Sequence, residues 1–269
     1  MPSAEVHPRE LGDYLLSHGR QIVTLREVAE ILGVDEKHAS SALVRLKRAN
    51  QMFSPTRGLY VAIPPQYRTW GAVPAVEFID QMMRAVGYDY YVALLSAAEL
   101  HGAAHQRPQA FQVMVDRAIK DRDLGQRVKL RFYQSVKVAT LPVELRNTSS
   151  GQVRIATPAV VAFDLASRPQ DGAGLSNVAT VIGELAEENK LDPEALLEIA
   201  DSYPVASLRR VGWLLDAVDS GINTDPLAAS VTERGSAGAE DLLQPGGTRR
   251  GRRNQRWGLV ENVDVEPDL

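Results

Sequence analysis

A run of helix start and stop signals near the N-terminus limits what this part of the chain can fold into. Thr24 is followed three residues later by Glu27, so the hydroxyl and the carboxylate can each pair with a backbone N–H of the first helical turn. Gly33 supplies the left-handed residue that ends this helix. Asp35 then caps a second helix, which we expect to run to about Asn50. Two helices joined by such a short turn indicate a helix-turn-helix.

The helix that follows Asp35 has one apolar face and one basic face. The apolar residues recur at helical spacing, and they are Ala39, Ala42, Leu43, Leu46 and Ala49. The opposite face combines short side chains with cations and has no acid; it consists of Lys37, Ser41, Val44 and Arg48, flanked by Ser40 and Arg45. Such a face suits the major groove of DNA, where cations meet phosphates and guanine edges. A solvated surface helix is the alternative interpretation.

Segments on both sides complete the pattern. Leucines at helical spacing predict an earlier helix that ends near Gly19. Residues 51–63 predict a β-hairpin with Arg57 at its tip. A helix, a capped helix, a turn, a basic helix and a hairpin follow one another in a winged helix-turn-helix. We therefore expect residues 1–68 to form a winged helix-turn-helix DNA-binding domain.

The basic face contrasts with the composition of the chain. The sequence has 269 residues and a net charge of −4, so attraction to nucleic acid must come from a local patch. The absence of cysteine excludes disulfides and thiolate metal sites. No apolar run approaches the roughly 20 residues that a transmembrane helix needs. We expect a cytoplasmic protein that does not bind membranes.

Residues 72–269 predict a larger mixed α/β domain, which makes the fold class α+β. Segments rich in β-branched and aromatic residues predict a small, mostly antiparallel sheet from residues 111–116, 129–138, 141–146 and 151–156. Helical patterns precede and follow these strands, at residues 74–86, 90–100, 158–166, 175–189, 193–202 and 206–218. Residues 223–255 have no regular period and predict a flexible loop.

Residue types that often serve catalysis are present without a catalytic arrangement. His101 and His105 are four residues apart, but the Glu of an H-E-x-x-H site is missing. Asp116, Asp121 and Asp123 suggest paired carboxylates, yet no Gly-Ser turn precedes them and basic residues separate them. We therefore expect no enzyme activity, no catalytic residues, no metal site and no cofactor.

Several long segments carry a family resemblance. They are "YYVALLSAAELHGAAHQRPQAFQVMV", "VRIATPAVVAFDLASRPQDGAGLSNVATVIGELA", "LRRVGWLLDAV" and "NQRWGLVENVDVEPD". Together with the N-terminal winged helix, they resemble the AbiEi family, antitoxins of type IV toxin–antitoxin and abortive-infection systems. The resemblance implies a repressor that binds inverted repeats in double-stranded operator DNA upstream of its own operon. It also implies a second domain that counteracts a co-encoded nucleotidyltransferase-like toxin without forming a stable complex.

The resemblance also implies positions for DNA contact. By matching position they are Lys37, Ser40, Ser41, Arg45, Arg48, Thr56 and Arg57. Basic residues of the second domain become candidates for nucleic-acid or partner contact. The densest group, which we call the arginine cluster, consists of Arg249, Arg250, Arg252, Arg253 and Arg256. A solvated loop is the alternative interpretation of this cluster.

Two other functions fit the same sequence. A one-component transcriptional regulator would use its C-terminal domain to bind a small effector in a deep apolar pocket. A nucleic-acid enzyme could use a winged helix for targeting. An antitoxin should instead present an extended charged surface.

Overall fold

The computed structural model describes residues 6–103, 108–125, 128–188, 190–236 and 238–268. The fold is mixed α+β, as the sequence predicts. Its contacts define two compact units: the first comprises Met1–Tyr91, Gln109–Val138 and Leu145–Arg154, and the second Val92–Pro108, Ala139–Glu144 and Ile155–Leu269. The predicted boundary near residue 70 lies inside the first unit, so independent folding of residues 1–68 stays a prediction.

The first unit begins with the helices that the caps predict. Its first elements are α1 (Leu11–Ser17), β1 (Ile22–Thr24), α2 (Leu25–Leu32), α3 (Glu36–Arg48), β2 (Met52–Thr56) and β3 (Leu59–Ala62). Thr24 and Glu27 form the capping box of α2, and Gly33 ends this helix with a φ of 64°. Asp35 accepts a hydrogen bond from the His38 N–H and caps α3.

These elements enclose one apolar core. Its buried residues are Leu11, Leu15, Val23, Val28, Ala29, Leu32, Ala39, Ala42, Leu43, Leu46, Met52 and Ala62. The strands form an antiparallel sheet in the order β1-β3-β2. Ala49, which the periodicity predicts to be buried, is exposed because α3 ends at Arg48 and Ala49 is already its C-cap.

An aromatic contact links the β2–β3 hairpin to the segment that follows it. α4 (Ile79–Val86) is preceded by a short 3₁₀ turn, Ala75–Glu77. Phe78 lies between the two, is fully buried, and meets Phe53 of β2 edge to face with ring centroids 5.2 Å apart. Residues on both sides of the predicted boundary near residue 70 therefore pack together within the first unit.

A six-stranded sheet has the order β6-β7-β5-β4-β9-β8. Its strands are β4 (Tyr90–Val92), β5 (Phe111–Val115), β6 (Arg122–Leu124), β7 (Val128–Gln134), β8 (Val143–Thr148) and β9 (Gly151–Ala156). The sequence predicts a mostly antiparallel sheet, and the structure shows a mixed one, in which β4 pairs in parallel with β9 and β5 with β7. β6 lies at the edge of the sheet and pairs antiparallel with β7. Because the chain reverses between β6 and β7, β7 runs beside β5 and in the same direction as β5. Apolar alternation carries no information about strand direction.

The second unit contains most of the remaining helices. They are α5 (Leu94–Leu100), α6 (Pro158–Ser167), α7 (Leu175–Glu187), α8 (Pro193–Ala200), α9 (Val205–Ala217) and α10 (Asp225–Arg234). Residues 90–92, predicted as the start of a helix, instead form β4. No helix among the described ranges is both long and apolar enough to cross a bilayer.

The predicted loop at 223–255 has more regular structure than its sequence suggests. It contains α10, β10 (Asp241–Leu242) and β11 (Arg252–Asn254), and both strands pair with β12 (Leu259–Glu261). Strands of two or three residues are too short to show alternation, and α10 begins without a side-chain cap hydrogen bond. This small sheet, β10-β12-β11, is called the terminal sheet below.

Trp257 packs the segment before β12 against α9. Its ring is fully buried, and its indole N–H donates to Oδ2 of Asp216 over 2.7 Å. Gly212 makes room for the ring, because a Cβ at this position would lie 2.1 Å from two ring carbons. The helix can therefore hold the indole only where it has no side chain.

We predict that Gly212→Ala destabilises the protein. The added methyl group must displace Trp257, and overpacking of a core costs about 1–3 kcal/mol. This exceeds the roughly 1 kcal/mol that alanine gains over glycine inside a helix. The free energy of unfolding from denaturant titration measures the effect.

Gly12→Ala is the matched control, because Gly12 lies inside α1 and a Cβ there would meet the Gln51 carbonyl oxygen at an ordinary 3.5 Å. Equal stability changes in the two variants would contradict the close packing of Trp257.

Candidate nucleic-acid interface

The outer face of α3 is exposed and basic. Exposed residues on it are Lys37, Ser41, Val44, Arg45 and Arg48, and Ser40 beside them is half-buried. Within the described part of the chain, Lys37, Arg45 and Arg48 form no ion pair. No acid among the described residues therefore neutralises their charges, and the face presents a positive surface.

Helix caps hold this face in place without using its side chains. The Thr24 N–H and hydroxyl donate to Oε2 of Glu27 over 2.7 and 2.9 Å. Arg20 lies 2.7 Å from the other carboxylate oxygen of Glu27. Partial burial opposes ionisation of Glu27, but the hydrogen bonds from Thr24 and the charge of Arg20 outweigh it and lower the pKa of this carboxyl. The start of α2 is thereby fixed.

Asp35 fixes the start of α3 in the same way. The His38 N–H donates to its Oδ1 over 2.8 Å, and Nδ1 of the His38 ring lies 2.8 Å from the same oxygen. These hydrogen bonds lower the pKa of Asp35. The ionised carboxylate also suits the positive end of the helix dipole. His38 is exposed and acts here as a partner of the cap.

The hairpin contributes a further cation. Arg57 is exposed in the turn between β2 and β3, where Gly58 has a φ of 83° that favours glycine. No residue among those described forms an ion pair with Arg57. Thr56 beside it is half-buried and pairs with Leu59 in the strand register. The structure thus gathers the predicted contact residues on the outer face of α3 and at the tip of the hairpin.

Arg256 of the arginine cluster has a structural role. Its Nη2 donates to Oδ1 of Asp225 and to Oγ1 of Thr224, each over 2.8 Å. Its Nε lies 3.2 Å from Oδ2 of Asp216, and its guanidinium carbon lies 5.3 Å from the centre of the Trp257 ring. Sequence reasoning missed this role, because the acidic partners lie far from Arg256 along the chain.

The other cluster residues are exposed and weakly paired. Arg253 lies 3.6 Å from a carboxylate oxygen of Glu240, and Arg252 lies 3.8 Å from one of Glu261. Arg249 donates to the Glu240 carbonyl over 3.5 Å. Arg250 forms no ion pair within the described residues. Exposed pairs at such distances contribute little to stability, so these cations remain available to a partner.

The carboxylates that could have indicated an enzyme are paired with arginines. Asp116 contacts Arg117 at 3.0 Å, and Arg131 lies 3.5 Å from Asp121 and 3.0 Å from Asp123. The described ranges contain no group of three or more His, Cys, Asp or Glu residues that could hold a metal.

The histidine pair does not form a recognisable site. The His101 ring is buried, with Nε2 2.7 Å from the Ala156 carbonyl oxygen. His105 lies outside the described residues.

Comparison with known proteins gives a family match for the middle of the chain and a solved structure with a similar fold. Residues 91–217 match the family described as the AbiEi antitoxin C-terminal domain. The crystal structure of the RV2827C protein from Mycobacterium tuberculosis superposes with a TM-score of 0.68 at 17% identity, covering 96% of this chain and 94% of that one. At this identity the likeness shows a shared fold and nothing further.

Other comparisons add no argument. An antigenic nucleotidyltransferase-like protein from Paracoccidioides brasiliensis reaches a TM-score of only 0.33 at 10% identity, covering 60% of this chain and 91% of that one. No curated protein matches the sequence. The domain match over residues 91–217 nevertheless confirms the resemblance to the AbiEi antitoxin family for this part of the chain.

Proposed function

We propose that the protein is a DNA-binding repressor of its own operon and an antitoxin that counteracts a nucleotidyltransferase-like toxin. The observation that carries the DNA-binding part is the exposed outer face of α3, whose cations Lys37, Arg45 and Arg48 have no acidic partner among the described residues. The AbiEi domain match supports the antitoxin part. No catalytic step is assigned.

The N-terminal elements support a winged helix-turn-helix. Helices α1, α2 and α3 are followed by the β2–β3 hairpin, and β1 completes the sheet beside β3. In this proposal α3 enters the major groove and the hairpin is the wing, with Arg57 against the DNA backbone or in the minor groove. Ser40 and Ser41 allow close approach, and the exposed Val44 can contact a thymine methyl group.

Charge alone would give binding to any sequence. Lysine and arginine contacts to phosphates release counterions and weaken with added salt, whereas an arginine that meets both acceptors of a guanine edge specifies that base. A single winged helix buries only about 600–1,000 Å² of protein surface. Binding to an operator with inverted repeats would combine two such modules and thereby raise affinity and specificity.

The antitoxin part has a separate experimental test. Co-expression with a nucleotidyltransferase-like toxin encoded beside this gene should restore growth that the toxin alone arrests. A variant that carries Arg45→Ala and Arg48→Ala should rescue growth as well as the parent when its expression is matched, because these residues serve DNA. Persistent growth arrest despite soluble parent protein would contradict the antitoxin assignment.

We predict that Arg45→Ala and Arg48→Ala each weaken operator binding while the fold is kept. Both side chains are exposed and unpaired in the described chain, so their loss leaves no buried charge. A guanine contact should cost about 1–3 kcal/mol and relax specificity at one base, whereas a phosphate contact should weaken all sequences alike. Mobility-shift titrations at several salt concentrations separate these outcomes.

Lys129→Ala is the charge-matched control, since Lys129 is an exposed cation on β7 without an ion pair among the described residues. Operator affinities of both single variants equal to that of this control would refute this docking.

For the arginine cluster, we predict different effects from its exposed and its paired members. Replacing Arg249, Arg250, Arg252 and Arg253 together by Ser should leave thermal stability unchanged but reduce DNA affinity or toxin neutralisation. Loss of DNA affinity should make the salt dependence shallower by about 0.9 per phosphate contact removed, and loss of neutralisation alone should not change it. Behaviour like the parent in both assays would identify a solvated loop.

Arg256→Ser is the structural counterpart of that variant. It removes contacts to Asp216 and Asp225 and should cost about 1 kcal/mol of stability. Unchanged unfolding of Arg256→Ser would contradict its structural role.

A further inference from the structure

We propose that the second unit contains a binding site for a small molecule with a carboxylate or phosphate group, and that Arg209 of α9 binds this group. The site is a cavity of about 300 Å³ whose lining includes Arg209, Gly235, Ser236, Gln255 and Gly258. This volume is near the lower limit of ligand pockets, which run from about 300 to 1,000 Å³. A small organic acid or phosphorylated compound matches it in size.

Arg209 is a buried cation with unused donors. Only 4% of the residue is exposed. Its Nη1 donates to Oδ2 of Asp241 over 2.9 Å and to the Gly258 carbonyl over 3.3 Å. Its Nε is buried and has no hydrogen-bond partner, and no described residue accepts from its Nη2. A guanidinium has five N–H donors, and burying a donor without an acceptor is unfavourable.

The unused donors lie on one edge of the guanidinium. Nε and Nη2 point two parallel N–H groups in the same direction, which is the geometry that binds both oxygens of a carboxylate or two oxygens of a phosphate. Asp241 and Gly258 contact only Nη1. The pair with Asp241 thus holds the side chain in place and leaves the Nε and Nη2 edge without an acceptor among the described residues.

Two glycines keep side chains away from this guanidinium. A Cβ on Gly235 would lie 2.8 Å from Nη2 and 2.7 Å from the Val231 carbonyl oxygen, although the φ of −78° at Gly235 would suit any residue. A Cβ on Gly258 would lie 3.2 Å from Cζ of Arg209. Glycine at 235 is therefore explained by its close approach to the Arg209 guanidinium.

Other lining residues favour a polar ligand. Ser236 and Gln255 are exposed, and their hydroxyl and amide groups can donate to the same anion. Glu240, the acid in the lining, lies 3.6 Å from Arg253, which offsets its negative charge. An anion in the cavity would therefore meet a cation and neutral donors, while the two nearby acids are each paired with an arginine, Asp241 with Arg209 and Glu240 with Arg253.

Thermal unfolding of the full chain with added sodium phosphate or sodium acetate tests the site. A saturable rise in the unfolding temperature is expected with at least one of the two, relative to sodium chloride of equal ionic strength. Because phosphate stabilises many proteins without a site, saturation and the variants below decide. Response to phosphate alone identifies a phosphorylated ligand, and response to acetate alone identifies a carboxylic acid.

Two variants address the Arg209 edge. Arg209→Lys keeps the charge beside Asp241 but loses the paired donors, and should raise the half-saturating anion concentration about tenfold or more. Ser236→Glu places a carboxylate in the cavity from an exposed position, and should abolish the response even if Arg209→Lys does not fold. Arg252→Lys, an exposed cluster residue outside the cavity lining, should respond like the parent. No saturable response in the parent, or an unchanged response in Ser236→Glu, would overturn the proposal.

Discussion

The packing of Trp257 against Gly212 is the contact on which the second unit most depends. It holds the segment before β12 on α9, and the strands of the terminal sheet pair with β12. Asp216 strengthens it by accepting from the Trp257 indole and by facing Arg256. A single helix turn thus supports both a buried aromatic ring and a charged network. The exposed arginines and the Arg209 cavity both lie on structure that this contact stabilises.

In the N-terminal elements, different sets of residues cap the helices, fill the core and form the exposed basic face. Backbone caps at Thr24 and Asp35 set where the helices begin, and apolar residues such as Leu43 and Leu46 supply the core. The outer side chains of α3 therefore neither cap the helices nor pack in the core. Like charges on one exposed face repel each other, and this unfavourable term is the physical basis on which the proposed binding of an anionic partner rests.

Local signals were enough to predict most elements but not their long-range relations. The helix starting at Pro158 was predictable because Thr157 caps it, and β9 matches its predicted bounds. β4 was missed because its three residues precede a helix without a capping side chain. The α3 face follows from helical spacing alone, whereas the Arg209 site joins α9 to residues 235, 241 and 258, which no local pattern connects. The direction of β5 and β7 depends on chain reversal at β6, which is equally non-local.

If the protein binds DNA as proposed, the contact between Phe53 and Phe78 would bear on how strictly the two half-sites must be spaced. An aromatic pair at 5.2 Å braces the β2–β3 hairpin against the start of α4, so the hairpin cannot swing freely on the segment that follows. A flexible tether would let paired modules adapt to half-sites at variable separation. A braced module instead carries a fixed geometry, and each added base pair moves a half-site by about 3.4 Å along the DNA axis. The rigidity of the hairpin would then favour DNA sites with one separation between the half-sites and disfavour sites with a longer or shorter separation.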